Sequence, residues 1–155
     1  MTAATFIAWE NRLAKMVKEP GGIKLNDALD QAGKNLDSIH EACMEAMDAE
    51  LEELDRLCAE GGRKPSDEIK KRIYDVGNDV IAVAGAFSLS ELGQAAFSLC
   101  ELVDRLRTRD KWNQAAVEVH LSAFRLLRQS EPGADRSSVV LGLKGLTDRV
   151  AVIAE

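Results

Sequence analysis

Between Ile69 and Cys100 the chain reads IKKRIYDVGNDVIAVAGAFSLSELGQAAFSLC, and its apolar residues return every three or four positions. That rhythm places them on one side of a helix and does not suit a half-buried strand, whose period is two. Ile69, Ile73, Val76, Val80, Ala84 and Phe87 make the stripe of one helix. Leu92, Ala96, Leu99, Val103 and Leu106 make that of the next. Between them Ser88-Leu89-Ser90-Glu91 matches a capping box, which sets the second start near Leu89. With so short a joint, the two helices must fold back as antiparallel neighbours.

The rest of the chain keeps the same period. A first short helix is expected over Thr5–Lys18, with Phe6, Trp9, Leu13 and Met16 on its apolar side, ended by Pro20-Gly21-Gly22. A long helix follows from about Asn26 to Glu60. Leu29, Ala32, Leu36, Ile39, Cys43, Met47, Leu51, Leu54 and Cys58 run along it as one stripe. A stripe that long reads either as a bundle helix projecting beyond its neighbours or as a dimer seam. Its acidic run, Glu45, Asp48, Glu50, Glu52, Glu53 and Asp55, reads as a solvated outer face.

Gly61-Gly62 ends the long helix, and Pro65-Ser66-Asp67-Glu68 opens the next with a polar cap and early acids. Asp110 is expected to cap a fifth helix with the stripe Trp112, Ala116, Val119, Ala123 and Leu126. That stripe is flanked by Val117, His120, Phe124 and Leu127. After Pro132-Gly133, a last helix from Asp135 or Ser137 to Ile153 turns Val139, Leu143, Leu146, Val150 and Ile153 inward, weakened by Gly142 and Gly145. The reading is all-α and one domain over 1–155. Residues 1–22 form an N-terminal helix and turn, 23–130 an antiparallel bundle core, and 131–155 a C-terminal helix.

Composition narrows the function classes. The 155 residues suit one sizeable core, and the formal net charge of −6 argues against a general nucleic-acid binder. The start MTAATFIAWE lacks the basic and apolar segments of a signal peptide, and no apolar run approaches the ~20 residues that span a bilayer. Cys43, Cys58 and Cys100 are odd in number and widely spaced, which fits reduced thiols in a cytoplasmic protein. With two histidines and no ligand-like spacing, no metal or cofactor is expected. No nucleophile–base pair stands out, so an enzyme is not expected either.

The other side of the Ile69–Phe87 helix holds Lys71, Tyr74, Asp75, Asn78, Ile81, Ala82 and Gly85. Its second half is apolar. Either this half is buried all round within a bundle, or it is an exposed patch of small residues where a partner's backbone approaches.

The run Ile73-Tyr74-Asp75-Val76-Gly77-Asn78-Asp79-Val80-Ile81-Ala82, followed by Phe87-Ser88 and then Ser98-Leu99-Cys100, resembles the signature region of histidine phosphotransfer domains, especially alphaproteobacterial ones. In that family a helix bearing roughly H-x-x-K-G passes a phosphoryl group between histidine and a response-regulator aspartate. The resemblance covers about the middle third of the chain and implies a four-helix bundle. KEPGGIKLNDAL ahead of the long helix adds a similarity to the CheE group of alphaproteobacterial chemotaxis proteins. The departures are chemical. Asn78 stands where the phosphoacceptor histidine would be, Ile81 replaces the lysine, Ala82 the glycine, and Ser88 the terminal glycine. An amide nitrogen is not a nucleophile as a neutral imidazole is.

The resemblance therefore implies a catalytically inactive adaptor. It would dock a receiver domain or histidine kinase of a two-component or chemotaxis pathway through Lys71, Tyr74, Asp75, Asn78, Ile81, Ala82 and Gly85. Two alternatives stand beside it. One is a structural protein acting as a homodimer through the long helix or Trp9. The other is a phosphotransferase using His120 or His40, with Glu118 and Asp37 placed to orient the rings.

Overall fold

A computed structural model describes residues 21–129 and 136–153. All regular structure among them is helical: α1 (Leu25–Gly61), α2 (Asp67–Ala86), α3 (Ser90–Thr108), α4 (Gln114–Gln129) and α5 (Ser137–Ile153). The helix expected over Thr5–Lys18 lies outside the described residues. The chain divides into two compact units, residues 1–38 and 39–155.

In the first unit, Gly21 takes a positive φ of 108° before α1 begins. The Lys24 carbonyl accepts the Ala28 amide at 2.9 Å, which makes Lys24 the N-cap. Leu25, Leu29, Ala32 and Leu36 are all exposed.

The second unit holds the core. Met47, Leu54, Leu57 and Cys58 of α1, Ile73, Val76, Val80 and Ala84 of α2, and Leu92, Ala96, Leu99, Val103 and Leu106 of α3 are buried together. Leu143 of α5 joins them, with Val139, Leu146 and Val150 packed partly against the cluster. Expected stripes and buried residues agree closely for α2 and α3.

In α4 they do not. Val119 and Leu126 are exposed, while Val117, His120, Leu121, Phe124 and Leu127 are buried. The apolar face of α4 is wider than a stripe, and its centre falls on the row read as a flank.

Two helix starts also differ from expectation, for one reason. Ser88 and Asp110 have φ of 57° and 48°. Each is the left-handed residue that ends the preceding helix rather than the cap of the following one. The Leu89 amide bonds back to Ala84 O at 2.9 Å, and the Lys111 amide to Leu106 O at 3.0 Å. These are the six-to-one bonds of a Schellman ending. The capping box at Ser88 therefore does not form, and α3 starts behind Leu89 with no side-chain cap. The Ala116 amide is instead bound by Asn113 Oδ1 at 3.1 Å, so Asn113 caps α4. Ser66 caps α2 as expected, accepting the Ile69 amide at 3.3 Å.

The acidic run of α1 is not simply solvated. Arg128 makes two hydrogen bonds to Asp48, at 2.7 and 2.9 Å, and Arg125 pairs with Asp55. Arg72 reaches Glu53 at 3.6 Å and Glu50 at 3.9 Å. Such exposed pairs contribute at most about 1 kcal/mol each. Their value is alignment, since they tie α1 to α4 and to α2 along its second half.

Candidate functional site

α2 and α3 approach closely enough to bring their outer faces into one surface. A Cβ built on Gly77 would meet Cys100 Sγ at 2.6 Å, and one on Gly93 would meet Ala84 Cβ at 3.4 Å. As contacts move forward along α2 they move back along α3, so the pair is antiparallel. Small residues at 77, 84, 93 and 96 permit the approach, because each missing side chain lets one helix backbone settle nearer the other.

The outer face of α2 is open. Asn78, Ala82, Gly85 and Lys71 are exposed, and Tyr74, Asp75 and Ile81 are half-buried. Of the two readings for the apolar second half of that face, burial all round is overturned. The seven sequence-derived residues share one accessible side, but they are not equally available. Lys71 is engaged by Asp75 one turn on, and Asn78 Nδ2 donates to Tyr74 O at 3.0 Å.

Beside this face runs a groove of about 210 Å³ lined by Tyr74, Asn78, Ile81, Phe97, Cys100, Glu101 and Asp104. Phe97, 63% exposed, was missed by sequence reasoning. It stands one position off the Leu92–Ala96–Leu99 stripe, in line with Glu101 and Asp104 at helical spacing, which puts it on an outer face of α3 without marking a groove. Two other hollows, one around Arg63, Lys70 and Trp112 and one around Asp55, Cys58 and Arg125, have several charged residues in their walls.

The chemistry available in the groove is limited. Cys100 is buried at its floor, and desolvation holds its thiol up at about 11, so it is protonated at neutral pH. Asn78 carries no basic nitrogen. Glu101 is paired with Arg105, and Asp104 is the second carboxylate of the lining. Among the described residues no group of three or more His, Cys, Asp or Glu could hold a metal, and no helix is long and apolar enough to cross a membrane. Cys43, Cys58 and Cys100 are free thiols.

The two histidines are elsewhere and differ sharply. His120 is 0% exposed. Its Nδ1 lies 2.8 Å from Ala116 O, a carbonyl that can only accept, so Nδ1 carries the proton. Nε2 then accepts from the Ser98 hydroxyl at 3.0 Å, and Thr147 Oγ1 donates to Ser98 Oγ at 3.0 Å. Burial lowers the His120 pKa, only partly opposed by the bond to Ala116, and the ring is neutral. Glu118, expected to orient this ring, instead accepts from Gln114 Nε2 at 2.9 Å. His40 is exposed on α1 and stands edge-on to Phe87, with ring centroids 5.1 Å apart.

No family model, no curated protein and no solved structure matches the chain.

Proposed function

We propose that the protein is a catalytically inactive, phosphotransfer-like adaptor. It docks a response-regulator receiver domain or histidine kinase in a two-component or chemotaxis pathway of the cytoplasm. The second half of α1 with α2, α3 and α4 is read as the antiparallel four-helix bundle of such a domain, and α5 as an addition to it. One observation carries the reading. The face bearing Asn78, Ile81, Ala82 and Gly85 is accessible and apolar, and it opens into the Phe97 groove. That is a surface for gripping another protein where the resemblance puts phosphotransfer.

The roles follow from chemistry. Ile81, Ala82 and Phe97 supply apolar contact, Gly85 allows backbone approach, and Asn78 offers its amide carbonyl as an acceptor. Asp104, beside the Glu101–Arg105 pair, favours a partner carrying lysine or arginine near its own apolar patch. His120 has no route to a partner's phosphoryl group through its packed shell, which counts in favour of an inactive adaptor.

The test is binding of the full chain to a panel of receiver domains and histidine kinases. Ile81→Asp is expected to lose the interaction while circular dichroism shows the helices intact. Undiminished affinity in that variant removes the surface from consideration. Radiolabelled phosphoryl transfer to the chain that disappears in His40→Ala would replace an inactive adaptor by an active carrier.

A further inference from the structure

We infer that the chain pairs with a second copy of itself through the apolar seam on the first half of α1. Leu25, Leu29, Ala32, Leu36 and Ile39 follow one another at steps of four, three, four and three. That is a 3.5-residue repeat, the period that keeps a seam facing a partner helix along its length. All five are exposed, and the four larger ones keep between 41% and 73% of their surface open to solvent. The same helix buries Met47, Leu54, Leu57 and Cys58 further on, so the exposure is confined to this stretch.

The occupant is identified by where the charges lie. In heptad terms Leu29 and Leu36 hold the first seam position and Leu25, Ala32 and Ile39 the fourth. The flanking positions, which lie beside the seam and select the partner, hold Asn26, Ala28, Gly33, Asn35, His40 and Ala42. Every Asp, Glu and Lys of the stretch, Asp27, Asp30, Lys34, Asp37 and Glu41, falls on the three outer positions, and His40 is the one titratable residue on a flank. A protein of net charge −6 meets its own copy against repulsion. That repulsion is strongest beside a seam, and here those positions hold no Asp, Glu, Lys or Arg. A foreign coiled-coil partner would find no charge there to be chosen by. Neutral flanks with an acidic back suit like pairing with like. The repeat spans only about two and a half heptads, so the pairing is reversible and depends on concentration.

Sedimentation of the full chain over about two decades of concentration tests this. The expected result is a monomer–dimer equilibrium. Leu29→Asp with Leu36→Asp should raise the dissociation constant by at least about a hundredfold, because each copy would bury two carboxylates in the seam. Gly33→Glu with Asn35→Glu leaves the seam intact and loads both flanks with like charge. It should also weaken the dimer, which keeps the test decisive if the first variant folds poorly. Ile81→Asp should leave the dimer unchanged, separating this surface from the adaptor face. A parent chain that stays monomeric throughout overturns the inference, as it would if the chain's own Phe6–Met16 segment covered the seam. A dimer that survives both paired variants overturns it too.

Discussion

The two halves of α1 carry the same apolar rhythm and have opposite surroundings. Met47, Leu54, Leu57 and Cys58 are sealed in a core, with Leu54 at 0% exposure, whereas Leu29 keeps 60%. Periodicity reports which residues share a side of a helix. It does not report what covers that side. The difference lies in the company: the second half meets α2 and α4, tied by Arg72, Arg125 and Arg128.

The sharpest way to break that contrast is truncation on each half. Leu54→Ala should cost about 2–5 kcal/mol in denaturant unfolding, since it removes a closely packed side chain and leaves a void. Leu29→Ala, measured at low concentration, should shift stability by no more than about 0.5 kcal/mol. Comparable losses at both sites would mean that the first half is covered after all.

Gly77→Ala probes the covered side from the opposite direction. A methyl group there meets Cys100 Sγ at 2.6 Å, so α2 and α3 must part or the thiol must turn. The expected loss is about 1–3 kcal/mol. Gly85→Ala on the open side of the same helix meets nothing within 4 Å and should be neutral or slightly stabilising.

The buried region should also be the acid-sensitive one. His120 has a folded pKa below its unfolded value of about 6.5, so the unfolded chain takes up the proton first. Its contribution is complete above about pH 6.5 and is lost as pH falls below that toward the folded pKa. The slope from this one group is at most about 1.4 kcal/mol per pH unit. His120→Leu should flatten unfolding free energy against pH in that window, whatever it does to absolute stability.

The smallest effect belongs to the joint between α2 and α3. Ser88 holds a φ of 57°, which glycine adopts without steric cost. Ser88→Gly should stabilise by up to about 1 kcal/mol, less the extra freedom that glycine gains on unfolding. A loss would mean that the Ser88 side chain does something its backbone does not reveal.

Much of this was legible in the residues. The α2 and α3 stripes, the Gly61-Gly62 stop and the Ser66 cap followed from spacing and local hydrogen-bond chemistry. Ser88 and Asp110 did not, because small polar residues serve both as N-caps and as left-handed helix ends. Only the path of the backbone distinguishes the two uses. Val119 and Leu126 were misplaced because a broad apolar face has no unique midline until neighbours choose one. For the candidate site, the α2 residues could be found from one helix alone. Phe97 could not, since the groove exists only where two helices lie side by side.

The chain Thr147–Ser98–His120–Ala116 has a consequence for mechanical play in the fold. It stitches α5, α3 and α4 together in the buried interior. Sliding any of these rods by a single residue, about 1.5 Å, would strand a buried hydroxyl or ring nitrogen without its mate. Greasy side chains tolerate such slippage, but these three do not, so they work as a dowel that holds the rods at one mutual height. The scaffold behind α2 is thereby indexed, and its outer residues can be exchanged without the frame drifting to accommodate them.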